Sequence, residues 1–201
     1  MAAKRRLIVG ISGATGIQYG VTLLKLLRHT DVESHLVVTK SADLTRSYEV
    51  SLSSRELRSL ADVVYPIGAM DAAIASGSFR TLGMVVIPCS VRTLAEIASG
   101  ASTSLLTRSA DVVLKERRRL VLVVRESPLN LIHLRNMTTV TEAGAIIAPP
   151  VPAFYTQPQS IDDIITQTVC RTLDLFDIET DQLKRWRDHP PMNTISSPRS
   201  S

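Results

Sequence analysis

The chain is poor in the residues that nucleic-acid binders, secreted scaffolds and membrane proteins depend on. Aromatic side chains make up only 4% of its 201 residues, with a single tryptophan, so there is little material for stacking bases. The formal net charge of +4 is modest, and nucleic acid is not expected as a partner. Cys89 and Cys170 are the only cysteines. They lie far apart and lack the paired spacing of a metal knuckle or redox motif, so neither disulfides nor structural zinc are expected. No stretch approaches the roughly 18 consecutive apolar residues of a membrane span. The opening Met-Ala-Ala-Lys-Arg-Arg passes straight into a short strand without a cleavable apolar region. Together these absences predict a cytoplasmic protein with no membrane partner. No metal-ligand cluster and no Ser–His–Asp order stands out, so no metal site is expected.

What is present is a core. With 44% hydrophobic and 21% charged residues, the chain suits one compact domain, expected to run to about residue 188. The polar segment from His189 to Ser201, with its prolines and serines, reads as a disordered tail. The most informative stretch is Arg6-Leu-Ile-Val-Gly-Ile-Ser12-Gly13-Ala14-Thr15-Gly16, an apolar run that breaks into a Gly/Ser/Thr turn. Leu7, Ile8, Val9 and Ile11 suit a strand buried on both faces. Gly13 and Gly16 permit a tight turn and a close backbone approach to a ligand. Ser12 and Thr15, with free helix N–H groups, are suited to a phosphate at the positive end of the helix dipole. An ordinary strand-to-helix turn with no ligand is the plainer account. The spacing Gly10-x-x-Gly13-x-x-Gly16 is not the dinucleotide fingerprint.

Ile17, Val21, Leu24 and Leu27 then recur at helical spacing, and Val32–Val38 reads as a second strand. Thr39-Lys40-Ser41 closes it and a helix runs to about Glu49. Ser53 and Glu56 form a capping-box pattern before a short helix through Leu60. Val63–Tyr65 is a weak strand, and Asp71–Ser76 a short helix. Gly83–Pro88 is a buried strand ending in Cys89-Ser90-Val91-Arg92-Thr93, a second polar turn that feeds a helix. Helices are expected over Leu105–Arg117, Leu131–Thr141 and Ile161–Phe176, and strands over Leu120–Val124 and Ala145–Ala148. Alternating strands and helices predict an open α/β sheet of about six mainly parallel strands, with helices on both faces. Ligands of such sheets bind at the carboxyl ends of the strands. Ser12–Gly16, Thr39, Ser90–Thr93 and Arg125–Glu126 all fall there.

No second acidic residue of the type that binds a dinucleotide ribose is evident, which favours a mononucleotide over NAD. Arg125 follows four apolar residues and needs a partner, either Glu126, solvent, or a ligand phosphate or flavin carbonyl. Lys115-Glu116-Arg117-Arg118-Arg119 reads first as a solvated helix end, with Lys115 the candidate exception. Arg108 and Asp111 have the spacing of an intrahelical pair. Phe154-Tyr155, after a proline-stiffened loop, is either a packing anchor or part of the site. Cys89 reads as a small buried hydrophobe and His133 as structural. Whatever chemistry occurs is expected to be carried by a cofactor.

These residues together resemble the UbiX flavin prenyltransferase family. The resemblance runs from about Arg6 to Trp186. It rests on Gly10-Ile-Ser-Gly-Ala-Thr-Gly16, Ala75-Ser-Gly-Ser-Phe79, Pro88-Cys-Ser-Val-Arg-Thr93 and Thr107–Arg118, with Val124-Arg-Glu-Ser-Pro128, Ile132-His-Leu134 and Pro149–Tyr155. It implies a three-layer Rossmann-like (flavodoxin-like) fold that binds FMN, in a homo-dodecamer with active sites at subunit interfaces. It implies transfer of a dimethylallyl group from dimethylallyl monophosphate to N5 and C6 of reduced FMN. The prenylated FMN then serves a UbiD-type decarboxylase. By position, Gly13, Ala14, Thr15, Thr39, Ser90, Val91, Arg92, Thr93, Arg108 and Arg125 are implied FMN contacts. Tyr155, Arg171 and a neighbouring subunit's Lys115 are implied ligands of the allyl phosphate. Glu49 and Glu126 match polar positions near the reaction, and Trp186 an aromatic that closes over it. Thr15 and Thr39 stand where serine is common, and Ser109 where alanine is usual. Two rivals share the resemblance, an FMN-dependent decarboxylase and a non-catalytic FMN-binding subunit. The loop typical of the cysteine decarboxylases, Pro-Ala-Ser-Ala-Asn-Thr, is missing, and Lys115, Glu126, Tyr155 and Arg171 argue against a merely binding role.

Overall fold

A computed structural model describes residues 5–186. The proposed tail from His189 lies outside them. Six strands form one wholly parallel sheet: β1 (Arg6–Ile11), β2 (Glu33–Val38), β3 (Val63–Tyr65), β4 (Gly83–Cys89), β5 (Arg119–Val124) and β6 (Ile146–Ile147). Their order across the sheet is β3-β2-β1-β4-β5-β6, the Rossmann arrangement. The helices are α1 (Ile17–Leu27), α2 (Lys40–Glu49), α3 (Ser54–Arg58), α4 (Val91–Ala98), α5 (Leu105–Lys115), α6 (Leu131–Glu142) and α7 (Ile161–Asp174). Strands buried on both faces need apolar residues at every position rather than alternate ones. β4 meets that requirement along its whole length.

Two cores result, one on each face. Leu7, Val9 and Ile11 pack with Leu24 of α1, Leu57 of α3 and Val169 of α7. Ile8, Met84 and Val86 pack with Leu94 of α4, Leu106 of α5 and Val140 of α6. Helix ends follow their capping residues. Ser53 and Glu56 form the expected capping box, and Ser104/Thr107, Asn130/His133 and Ser160/Asp163 form three more. His133 is thereby explained: its ring accepts from the Asn130 amide at 3.4 Å.

Several boundaries differ from the sequence pattern. The segment 71–76 contains only a 3₁₀ turn over Ala73–Ala75, and the sixth strand shrinks to Ile146–Ile147. α5 stops at Lys115, because Arg117 takes a left-handed conformation (φ 57°) that turns the chain into β5. A proline inside a central strand conflicts with ladder pairing, as it has no N–H to donate. Pro88 is accommodated where the register between β4 and β5 shifts, between Val86 and Cys89.

His35 is buried on β2 between the rings of Tyr65, stacked at 5.8 Å, and Phe79, edge-on at 5.2 Å. Its nitrogens meet Tyr65 OH at 2.9 Å and Glu33 Oε1 at 3.0 Å, and burial lowers its pKa. Gly83 opens β4 with φ 143°, and a Cβ there would lie 2.0 Å from the Arg119 carbonyl oxygen. Gly144 shares a positive φ of 103° but faces open space. Gly83→Ala is therefore expected to cost at least about 2 kcal/mol and Gly144→Ala about 1 kcal/mol, by urea denaturation at unchanged m.

Candidate functional site

The strand order makes a crevice. β1 and β4 are neighbours, but the chain leaves β1 into α1 on one face and leaves β4 into α4 on the other. The loops after them therefore diverge and leave a gap at the carboxyl edge. Ser12, fully buried, bridges the two strand ends. Its hydroxyl donates to the Pro88 carbonyl at 3.0 Å and accepts from the Ser90 amide at 2.8 Å. Three helix N-termini surround the gap. Thr39 caps α2 by accepting from the Ala42 amide at 3.1 Å, and Ser90 caps α4 by accepting from the Thr93 amide at 3.2 Å.

The third N-terminus, that of α1, is met by the chain's own carboxylate. Glu49 accepts from the amides of Gly16 at 2.8 Å and Ile17 at 2.9 Å, and also from the Thr15 hydroxyl. The positive end of α1 is thus already neutralised. What Gly13–Thr15 offers a ligand is a close backbone approach beside Glu49. Gly13 is required first by packing, since a Cβ there would lie 2.4 Å from the Ser41 side chain. Gly16 is required by its left-handed φ of 101°.

A cleft of about 650 Å³ opens at this edge, lined by Thr15, Gly16, Glu49, Arg125, Pro150 and α7 residues such as Ile165. Among the described residues the Arg125 guanidinium makes no hydrogen bond or ion pair. Glu126 does not take it, accepting instead from the Ser127 amide at 3.0 Å. An unpaired cation facing a cleft is a ready anion or carbonyl ligand. A second, smaller cavity of about 170 Å³ holds Tyr155 and Arg171, with Ala148, Pro149 and Val151. Pro149 lines this cavity and Pro150 the larger one. Trp186 closes edge-on against Tyr155, with ring centroids 5.2 Å apart and planes at 84°.

The other expected site residues fall elsewhere. Arg92 is exposed on α4 and pairs with Glu96 at 3.0 Å. Arg108 pairs with Asp111 at 2.7 Å, as its spacing suggests, and lines neither cavity. Lys115 sits at the far edge of the sheet. α5 ends there, and the chain then enters β5 at Arg119, which pairs with Gly83, the first residue of β4. The length of a six-residue strand, roughly 3.3 Å per residue, separates that edge from Ser12, Ser90 and Arg125. Lys115 Nζ donates to Glu116 Oε1 at 2.5 Å and would lie 2.8 Å from a Cβ on Gly77. The Gly77–Phe79 loop is held there by Arg118, which donates to both the Gly77 and Phe79 carbonyls at 2.7 Å. Sequence reasoning missed Ser12 as a strand bridge and this Gly77 contact, neither of which leaves a local spacing signal.

Cys89, fully buried, has its thiol pushed far up by desolvation and is no nucleophile. Among the described residues no group of His, Cys, Asp and Glu side chains is arranged to hold a metal ion, and no helix is long and apolar enough to cross a membrane.

A flavoprotein family model matches residues 1–174. The flavin prenyltransferase UbiX of Neisseria meningitidis is 58% identical over 183 residues, spanning 91% of this chain and 97% of that protein. The chain belongs to the UbiX flavin prenyltransferase family. Among solved UbiX structures, AnUbiX (PadA1), crystallised with FMN and dimethylallyl pyrophosphate, is 53% identical. It superposes with a TM-score of 0.91, covering 94% of this chain and all (100%) of that one. A dodecameric FMN-dependent UbiX-like decarboxylase from Escherichia coli O157:H7 is 49% identical with a TM-score of 0.89, over 90% of this chain and 99% of that one. The peptidyl-cysteine decarboxylase EpiD, at 15% identity and a TM-score of 0.58, shares the fold alone. In this chain Glu49 serves as the cap of α1. Glu49→Ala is expected to lower stability by about 1–2 kcal/mol and Glu49→Gln by less, measured by thermal unfolding of the flavin-free protein.

Proposed function

We propose that this chain transfers a dimethylallyl group from dimethylallyl monophosphate to reduced FMN and releases prenylated FMN for a UbiD-type decarboxylase. What carries the reading is the cleft at the β1/β4 crossover, with Arg125 unpaired beside Glu49 and Thr15, in a chain so similar to UbiX proteins throughout. The residues fit a flavin mononucleotide. A glycine backbone packed too tightly for a Cβ, hydroxyls at Thr39 and Ser90, the first turn of α4 through Thr93, and one guanidinium suit a phosphate and a polar ring edge. Reduced FMN, when bound, supplies the nucleophilic N5 and C6 positions that accept the prenyl group.

The chain's own residues then do three things. Arg171 and Tyr155, on the smaller cavity, hold the allylic phosphate and stabilise the charge that gathers on it as the carbon–oxygen bond breaks. Trp186 and Tyr155 offer aromatic faces to the positive charge developing on the allyl group. To Glu126 and Glu49 we assign the movement of a proton at the flavin or phosphate. Lys115 supplies a further phosphate cation from a neighbouring copy, a reading supported by its place at the end of α5, on the sheet face opposite α7 and Arg171. The assembly we assign to it is a dodecamer, the state of the UbiX-like decarboxylase from Escherichia coli O157:H7. Consistent with subunit contacts, Leu131, Ile132 and Leu134 of α6 and Phe154 are exposed in the single chain.

Anaerobic protein with reduced FMN and dimethylallyl monophosphate is expected to yield a flavin heavier by one prenyl unit by mass spectrometry. Unchanged flavin, with FMN demonstrably bound, would refute the transferase reading. Release of carbon dioxide from an aromatic acid or a peptidyl cysteine would favour the decarboxylase instead. Arg171→Ala should abolish turnover while leaving FMN bound. Co-refolding Lys115→Ala with Arg171→Ala chains should restore activity to roughly a quarter of the sites. Continued inactivity of the mixture, with both chains assembled, would place Lys115 and Arg171 in the same subunit's site.

A further inference from the structure

The carboxylate of Asp174, at the last turn of α7, joins two guanidiniums. Arg171 Nη1 donates to its Oδ2 at 2.5 Å. Arg185 donates twice, from Nη2 to Oδ1 at 2.6 Å and from Nη1 to Oδ2 at 3.2 Å. Asp174 is the shielded member, its side chain 19% exposed against 60% for Arg171 and 58% for Arg185. The Arg185 guanidinium, first among several causes, holds its carboxyl below the usual range, so it stays ionised near neutral pH. Asp174 thus gathers two guanidiniums beside the cavity that Tyr155 and Arg171 line.

The segment carrying Arg185 is fixed at a second level. Gln167, buried one helical turn before Arg171, donates from Nε2 to the Lys184 carbonyl at 2.8 Å and accepts from the Lys184 amide at 3.1 Å. Lys184 Nζ in turn donates to the Thr156 carbonyl at 3.3 Å, tying in the 3₁₀ turn that bears Tyr155. Next along the chain, Trp186 lies edge-on to Tyr155. Taking one Arg171 nitrogen and, among the described residues, leaving the rest of the fork free, Asp174 limits the rotamers of a long side chain before an anion arrives.

Building on the reading of Arg171 and Tyr155 as the allyl-phosphate grip, we propose that Asp174 is its positioning residue. Its one carboxylate presents Arg171 to the phosphate and, through Arg185, docks the segment that sets Trp186 over Tyr155. A surface ion pair without that role contributes little to anything measurable.

The test pairs kinetics with the fluorescence of Trp186, the only tryptophan in the chain. The full-length protein is used, with Asp174→Asn, Asp174→Glu and Arg185→Met. For Asp174→Asn we expect kcat/KM for dimethylallyl monophosphate to fall about 10- to 100-fold, mainly through KM, with FMN affinity unchanged. Trp186 emission should shift to the red and lose anisotropy. Asp174→Glu should recover part of both. Arg185→Met, which leaves the Arg171–Asp174 pair intact, should release Trp186 and raise KM less. Because Arg185 is half-exposed, that variant keeps the proposal testable even where Asp174→Asn folds poorly. Wild-type kcat/KM in Asp174→Asn, or wild-type Trp186 anisotropy in both Asp174→Asn and Arg185→Met, would overturn the proposal. A wild-type protein that never prenylates flavin would instead refute the underlying function, and the fluorescence result would still stand or fall alone.

Discussion

Everything at the carboxyl edge of this sheet depends on one buried hydroxyl. Ser12 ties the end of β1 to the end of β4 by donating to Pro88 and accepting from Ser90. At this point the chain's two halves part to opposite faces; the Ser12 amide adds one backbone bond to the same Pro88 carbonyl at 3.2 Å, while Pro88 itself has no amide to give. With the strand ends locked, the loops that leave them are aimed: Gly13–Gly16 toward α1 and α2, Ser90–Thr93 into α4. A buried hydroxyl with both roles satisfied is a rigid joint, whereas an unsatisfied one would cost free energy. The cleft inherits its shape from that joint.

Much of this was legible in the residues. Continuous apolar runs in β1, β4 and β5 announced strands covered on both sides, and the polar turns after β1 and β4 announced the edge where ligands bind. Ser53 and Glu56 marked a helix start that the structure keeps. Bounds were less legible where tertiary geometry decides. The pattern over Ala145–Ala148 is strand-like, but only Ile146 and Ile147 pair, because β6 has only β5 as a neighbour. Residues 71–76 carry helical apolar spacing yet form only a 3₁₀ turn, held in a connection that ends under Arg118.

The site was legible as a set of residue types and less so as an arrangement. Glycines and hydroxyls after β1 suggested a vacant helix N-terminus, and the vacancy turned out to be filled from 34 positions away, by Glu49 on Thr15. No local spacing encodes that pairing. The Arg108–Asp111 spacing correctly indicated an intrahelical pair. Arg171 and Asp174 have the same three-residue spacing, and here a similar pair also reaches Arg185, on a segment that returns across α7. Local periodicity describes the first contact and is silent on the second.

The placement of Lys115 has a consequence beyond its chemistry. Lys115 ends α5 on one face of the sheet and Arg171 sits in the last turn of α7 on the other, so the sheet stands between them within one copy of this chain. On the proposed reading, a lone folded subunit carries two half-sites facing away from each other. Such a molecule holds its flavin but leaves the phosphate grip unfinished. Catalysis then scales with how much of the protein is assembled, and dilution acts as an off-switch that needs no effector.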